Sequence, residues 1–375
     1  MSFKDLRVGI VGAGSRSVSL RTALQLLNIR IHAICDVNKE SADAARIEFG
    51  ASEVYTHYEQ MLDAARLDAV IIGTPMYLHA QQSILALDRG IHVLSEVTPA
   101  VSIDECRALV AAVKRARRAK YMLAENCNFY RNNLMVTEMV RQGLFGQIYY
   151  AESEYLHEVK SLIEQTPWRR TWHAGINGIT YGTHCLGPVL QWMPGDRITS
   201  VSCVGSGHHH LDVKGKPYEN EDSCVMLART RAGALIKVRT DLVSDRPYSL
   251  NYQLQGTDGC YESSRGGPNE GSRLRLRALS QAAAWIDVDA MLTADALAKH
   301  YMPELWRKAP PGIVEAGHCG GDFFVIQSFF HSIVENIPPL IGIHEAMDMT
   351  LPGLISQQSI VQRSSWLPVP DSRDW

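Results

Sequence analysis

Histidine is the side chain whose proton moves near neutral pH, and His184 stands three residues after Tyr181 in the stretch Asn177-Gly-Ile-Thr-Tyr-Gly-Thr-His184. On a helix starting near Tyr181, that spacing puts both side chains on one face, a pair suited to moving protons at a bound hydroxyl. A buried aromatic anchor beside a satisfied core histidine has the same pattern, so the pair alone does not decide. Glu96 and Glu125 close the apolar runs Ile91-His-Val-Leu-Ser-Glu96 and Tyr121-Met-Leu-Ala-Glu125, at the strand edge where open α/β sheets bind ligands. Glu125 reads as an acid or base, or as the holder of a ligand hydroxyl, with a hinge-stabilising ion pair as the plainer alternative. Tyr155 and His157 share one face of a strand, because the side-chain period there is two. Arg169 and Arg170, between Trp168 and Trp172, suit clamping an anionic group or stacking on a ring, against a solvated loop with snorkelling side chains. His208-His209-His210 lacks partners at metal-site spacing, and no metal is expected.

A second chemistry opens the chain. In Leu6-Arg-Val-Gly-Ile-Val-Gly-Ala-Gly-Ser-Arg-Ser17 a buried strand (Val8, Ile10, Val11) runs into glycines. Gly12 permits the tight turn, and Gly14 lets a pyrophosphate approach the backbone at a helix N-terminus. Ser17 replaces the third glycine of the dinucleotide fingerprint. A second strand, Ile31-His-Ala-Ile-Cys-Asp36, ends in an acid 22 residues beyond Gly14. That carboxylate is placed for ribose hydroxyls, and Val37 and Asn38 offer no cation for a 2′-phosphate, so NAD is expected rather than NADP.

The elements that must position these groups follow from periodicity. Strand and helix patterns alternate through the first third: a helix from Asn38 or Ser41 to Phe49 stopped by Gly50, the strand Asp68 to Gly73, a helix from about Leu78 to Arg89 capped by Gly90, and a helix from Ile103 to Ala116. This predicts an α/β fold with an N-terminal Rossmann, doubly wound parallel sheet in residues 1–126. Beyond it, longer alternating strands (Ile148 to His157, Ile198 to Gly205, Ser223 to Arg229, Ala234 to Thr240, Leu250 to Gly256) predict an α+β domain with an open, mostly antiparallel sheet in 127–375. Arg229 to Ala234 reads as a hairpin, and Arg265 to Arg277 as a mobile Gly- and Arg-rich loop. An open sheet would expose an apolar face in a monomer, so a homodimer or homotetramer through the C-terminal sheet is expected.

Composition is that of a soluble enzyme. The 375 residues are 46% hydrophobic, with net charge −3 and a pI near 6.5, which argues against a nucleic-acid or membrane-surface partner. Eight scattered cysteines without a C-x-x-C pair fit free thiols in a reducing compartment. With no signal-peptide pattern and no membrane-spanning run, a cytoplasmic protein is expected.

Beyond these readings, the chain resembles the Gfo/Idh/MocA oxidoreductase family over nearly its whole length: the glycine fingerprint, Gly73-Thr-Pro75 with His79, Glu96 near Pro99, and the open-sheet second domain. Members usually carry Lys after that Glu; here Val97 stands there. Met122 to Asn128, Tyr155 to Glu158, Asn177 to Pro188 and Gly317 to Phe323 look more narrowly like the NAD-dependent glycosidases of glycoside hydrolase family 109, the α-N-acetylgalactosaminidases. Related redox-neutral glycosidases such as sulfoquinovosidases use the same fold. The resemblance implies NAD held by Gly12, Gly14, Ser15, Arg16, Asp36, Thr74, Pro75, His79, Glu96 and Asn126. It implies a small-molecule glycoside against Tyr155, His157, Arg169, Trp172 and His318, with His184, Tyr181 and Glu125 catalytic. The implied reaction is a family exception to two-carboxylate hydrolysis: oxidation at C3 of the sugar acidifies the C2 proton, its removal expels the C1 substituent, water adds, and the hydride returns. An NAD-dependent sugar 3-dehydrogenase is the alternative on this fold, and a non-catalytic NAD-binding scaffold is the alternative from a different class.

Overall fold

The computed structural model describes residues 2–265, 271–279, 284–293 and 300–375. The chain divides into two compact units, Met1–Asn126 with Pro310–Thr350 and Asp371–Trp375 in the first, Cys127–Ala309 with Leu351–Pro370 in the second. The first crossing falls after Asn126, where the sequence pattern changes. The later return of the chain to the first unit departs from the single stretch 127–375 that periodicity suggests, because helical patterns do not say which sheet they cover.

In the first unit the short apolar runs Val8–Val11 (β1), Ile31–Cys35 (β2), Glu53–Tyr55 (β3), Ala69–Ile72 (β4), His92–Ser95 (β5) and Tyr121–Leu123 (β6) form one sheet in the order β3-β2-β1-β4-β5-β6. Every pairing is parallel. Strands β1 and β4 are buried throughout, as expected where helices cover both faces. This is the Rossmann order. The helix Lys39–Phe49 begins where the Asn38 side chain accepts from Ser41 N and ends at Gly50 in the left-handed region, as its sequence predicts. Residues 310–350 extend this unit: Ile341 O accepts from Leu123 N, at 3.0 Å. At the C-terminus, Lys114 donates to Trp375 O, and the Arg107 guanidinium lies 5.3 Å from the Trp375 ring centroid.

The second unit is built on one sheet of nine strands: Ile148–Leu156 (β7), Ile198–Gly205 (β8), Ser223–Thr230 (β9), Leu235–Asp241 (β10), Ser249–Gly256 (β11), Gly259–Glu262 (β12), Arg273–Leu276 (β13), Ile286–Asp287 (β14) and Leu367–Pro368 (β15), in the order β14-β13-β12-β11-β7-β10-β9-β8-β15. All pairs are antiparallel except β7 with β10. The expected hairpin joins β9 to β10. Of the expected loop at 265–277, residues 266–270 lie outside the described residues and Arg273–Leu276 is a strand.

Strand alternation gives this sheet two unlike faces. Ala151, Met226, Ile236, Val238, Tyr252 and Leu254 point to the buried side, which the helix Thr183–Gln191 packs on: Trp192, just past its end, donates to Asn133 O at 3.0 Å and meets the Tyr252 ring at 6.0 Å. The other side carries Lys237 paired with Glu152 at 2.6 Å, Arg239 donating to Ser223 Oγ at 2.8 Å, Gln253, Gln255 and a partly exposed Leu227. The face is mixed: Val204 and Leu227 are exposed beside these charged and amide side chains, and Val225 and Leu235 lie on the same side.

Candidate active site

The first unit forms a dinucleotide cradle. Gly12 has φ +90°, and a Cβ there would lie 2.7 Å from the carbonyl carbon and oxygen of Gly73. A Cβ on Gly14 would meet nothing within 4 Å, which leaves the backbone open to a ligand. The serine in place of the third glycine has a local reason. That glycine normally lets helix and strand pack closely, and here the space is left by the partner instead, since a Cβ on Gly73 would run into Ser17 Oγ. Asp36 Oδ2 accepts from Ala13 N at 2.7 Å and Oδ1 accepts from Asn38 N at 2.8 Å, so its carboxylate is fixed at the end of β2. These residues fit a dinucleotide.

Around that loop the first unit holds a charged network. Arg16 makes a bidentate pair with Asp322 at 2.7 and 2.9 Å and reaches Glu96 Oε1 at 2.8 Å. Asn126 Nδ2 donates to Asp322 Oδ1 at 3.1 Å, and His318 Nδ1 lies 2.9 Å from Asp322 Oδ2. Burial opposes ionisation of Asp322, but the Arg16 guanidinium outweighs it with help from His318, and the carboxyl lies well below the usual carboxylate range. Two carboxylates likewise overcome the burial of Arg16 and hold its charge. Glu96 is thus engaged with Arg16, and His318 lies beside Asp322 in the first unit. His79 is buried with both ring nitrogens used: Nδ1 is 2.8 Å from Thr98 O and Nε2 is 2.8 Å from Thr74 O. Burial lowers its pKa. It ties the turn after β4 to the turn after β5, while Thr74 Oγ1 donates to Gln82 Oε1 at 2.6 Å. Pro75 follows in that turn, Ser15 starts the helix after Gly14, and Glu125 is fully buried two residues past β6.

In the second unit, rings from five segments meet at the C-terminal end of β7. The Tyr155 ring lies 5.1 Å from His184, 5.8 Å from Tyr181 and 5.7 Å from His157, between centroids, and Tyr181 and His184 meet edge to face at 5.4 Å. Tyr155 Oη is 3.0 Å from His157 Nδ1. Burial, with the Tyr181 phenol adding to it, pushes the Tyr155 phenol well above its ordinary value, so Tyr155 keeps its proton. The expected helical pairing of Tyr181 with His184 is corrected in one respect. The helix starts at Thr183, and Tyr181 belongs to the preceding loop. That loop is held by Asn177 Oδ1, which accepts from Gly178 N at 2.9 Å and Glu221 N at 3.1 Å, and by Ser356 Oγ, which accepts from Ile179 N at 2.8 Å. A Cβ on Gly182 would sit 2.7 Å from Ile179 O, so the turn closes only with glycine there. Tyr252 Oη donates to His184 O at 2.7 Å and anchors the helix to the sheet.

Two members of this cluster carry no assignment from the sequence reading. Tyr248, just before β11, meets His157 at 5.0 Å and Tyr155 at 6.0 Å. His173 meets Tyr181 at 4.2 Å. His173 directly follows Trp172, which the sequence does single out, but that neighbour specifies no role for it. Of the two arginines, Arg170 is engaged by Asp212 at 2.5 Å and by Pro217 O at 3.1 Å. Arg169 donates to Thr166 Oγ1 at 2.8 Å and lies 4.3 Å from the Trp168 ring centroid, and burial lowers its pKa. Trp172 ends the short helix Trp168–Trp172 and is half-buried. His209 and His210 both face Asp222 Oδ2, at 2.9 and 3.1 Å.

A parallel Rossmann sheet with a glycine cradle, joined to a nine-stranded sheet with a tyrosine–histidine cluster, defines a two-unit NAD-binding enzyme of the oxidoreductase type. Residues 6–124 match the model of the oxidoreductase family, NAD-binding Rossmann fold, and residues 129–374 match that of the glycosyl hydrolase 109 C-terminal domain. The chain belongs to glycosyl hydrolase family 109. It is 31% identical to a glycosyl hydrolase family 109 protein of Saccharopolyspora erythraea, over 98% of this chain and 83% of that one. It is 30% identical to an alpha-N-acetylgalactosaminidase of Shewanella oneidensis, over 98% of this chain and 84% of that one. In fold it is similar to an oxidoreductase domain protein from Kribbella flavida, with a TM-score of 0.82 and 20% identity over 99% of this chain and all of that one. The protein is therefore an enzyme of this family, a glycosidase or an oxidoreductase. Among the described residues, no helix is long and apolar enough to cross a membrane.

Proposed function

We propose that this protein is a cytoplasmic, NAD-dependent glycosidase that cleaves small glycosides without net oxidation. The observation that carries the reading is the cluster of Tyr155, Tyr181 and His184, in tilted and edge-to-face contact, in the unit that matches a glycosyl hydrolase C-terminal domain. Gly12, Gly14 and Asp36 would hold the dinucleotide, which when bound supplies a reversible store for one hydride. His184 takes the proton of the C3 hydroxyl as that carbon is oxidised and gives it back at the end of the cycle, a task suited to an imidazole. With C3 as a ketone, the C2 proton is acidic enough for a side-chain base to remove, and Tyr181 is that base. Tyr155, whose phenol stays protonated, acts as a hydrogen-bond donor that orients the sugar. Glu125 protonates the departing aglycone and serves the water that adds at C1. The absence of lysine after Glu96 favours this route over a simple dehydrogenase, because the usual proton acceptor of that reaction is replaced by Val97. The relative named alpha-N-acetylgalactosaminidase makes an N-acetylated hexosaminide the first substrate to try. A homodimer or homotetramer through the second unit's sheet remains part of the reading.

The test is turnover of a panel of 4-nitrophenyl glycosides, neutral, N-acetylated and anionic, by the NAD-loaded protein in D₂O. Phenolate release with deuterium at C2 and no net absorbance at 340 nm is expected. NADH accumulating from free sugars without glycoside cleavage would make the protein a sugar 3-dehydrogenase. If no sugar is turned over and His184→Ala changes nothing, the protein is a scaffold.

A further inference from the structure

His173 is out of keeping with its surroundings. Its side chain is only 6% exposed, and neither ring nitrogen has a hydrogen-bond partner among the described residues. Buried polar groups are almost always paired, and an unpaired one costs free energy that an apolar ring of the same shape would not. What holds the ring is an edge-to-face contact with Tyr181, centroids 4.2 Å apart and planes at 62°. A phenyl group would make that contact equally well. The imidazole therefore adds two nitrogens to the site, and no described residue uses either.

The groups around it narrow what those nitrogens are for. Arg169, His157 and His184 all face the ring, and all carry or can carry positive charge. Together with burial, which is the larger effect, they keep the imidazole uncharged. A neutral imidazole donates from one nitrogen and accepts at the other. It neither pairs with an anion nor supplies a proton to a leaving group. A hydroxyl suits either nitrogen, because it can accept from the one that carries the proton or donate to the one that does not. Arg169 carries a second orphan: its Nε is buried without a hydrogen-bond partner among the described residues.

We propose that His173 is a substrate-binding residue, which recognises an uncharged hydroxyl of the glycone through one of its unpaired ring nitrogens. The inference rests on the glycosidase reading and adds to it a specificity determinant beside Tyr181. It makes the cluster a site for a hydroxyl-rich pyranose, with recognition at the His173 position by hydrogen bonding rather than by charge.

The experiment is calorimetric titration of the NAD-loaded full chain with N-acetylgalactosamine and with its 3-, 4- and 6-deoxy analogues. It compares the wild type with His173→Phe and His173→Asn. His173→Phe should bind N-acetylgalactosamine at least about tenfold more weakly, leave NAD affinity unchanged, and melt no lower than the wild type. His173→Asn, which keeps a donor and an acceptor, should recover part of the loss. One deoxy analogue should bind the wild type weakly and be insensitive to His173→Phe, which would identify the hydroxyl. Unchanged sugar affinity in both variants overturns the proposal, as does an equal loss for every deoxy analogue. Failure of the glycosidase reading shows itself differently, as a wild type that turns over no glycoside although its His173-dependent sugar binding is intact.

Discussion

Between pH 6.5 and about 3, the unfolded chain holds a proton on His173 that the folded chain refuses. The native state binds fewer protons there, so stability rises with pH through that window and is lost as the pH falls below 6.5. His173→Phe removes the effect. The wild type should lose stability relative to that variant by on the order of 1 kcal/mol per pH unit on going from pH 6.5 towards 4.5. Urea unfolding of both proteins at pH 7.5, 6.0 and 5.0 measures this, and parallel pH curves would show that the imidazole titrates normally. Asp322 contrasts with His173. It is also buried, but Arg16 and His318 stand against it, and so it stays ionised despite its burial. At this scale the sequence was legible where a residue's partner is local, as with Asn38, which caps the helix that Gly50 stops. It was not legible for His173 or Tyr248, whose significance lies in the absence or presence of distant neighbours.

The turn after β1 shows how one element separates two uses of glycine. Gly12→Ala would place a methyl against the Gly73 carbonyl at a backbone angle that L residues rarely adopt, and should cost about 1–3 kcal/mol of stability. Gly14→Ala meets open space in the protein and should change stability by less than about 0.5 kcal/mol. Its methyl would instead stand where the pyrophosphate approaches. Thermal melts and NAD titrations of the two variants distinguish these effects. Gly14→Ala should melt like the wild type and bind NAD at least about tenfold more weakly, and unaltered NAD affinity in that variant would count against the cradle. The loop carrying Tyr181 illustrates what periodicity misses. Three-residue spacing suggested a helix face, but hydrogen bonds from Asn177 and Ser356 keep residues 177–182 out of the helix while still delivering Tyr181 to His184.

For the molecule as a whole, the proposed association would run through the outer face of the nine-stranded sheet, where charged side chains stand beside exposed Val204 and Leu227. Contacts through the Glu152–Lys237 pair and Arg239 are electrostatic and screened by salt. Sedimentation at micromolar protein should show a dimer or tetramer at low ionic strength that weakens at about 0.5 M salt, where the Debye length is a few ångströms. A monomer at both would remove the assembly from the proposed function. Chemistry and fold class were determined by the sequence itself. The glycine fingerprint with Asp36 specifies a dinucleotide, and the change from alternating strand–helix patterns to long alternating strands after Asn126 separates two sheets. These signals survive because they are local: a turn, a cap and a side-chain period each involve a few neighbouring residues. Only the tertiary structure decided that residues 310–350 rejoin the first unit and bring Asp322 to Arg16. It alone gathered Tyr155, His157, His173, Tyr181, His184 and Tyr248 at one end of the second sheet. The reason is that strand register and helix docking are set by burial against partners far along the chain, and no local pattern carries that information.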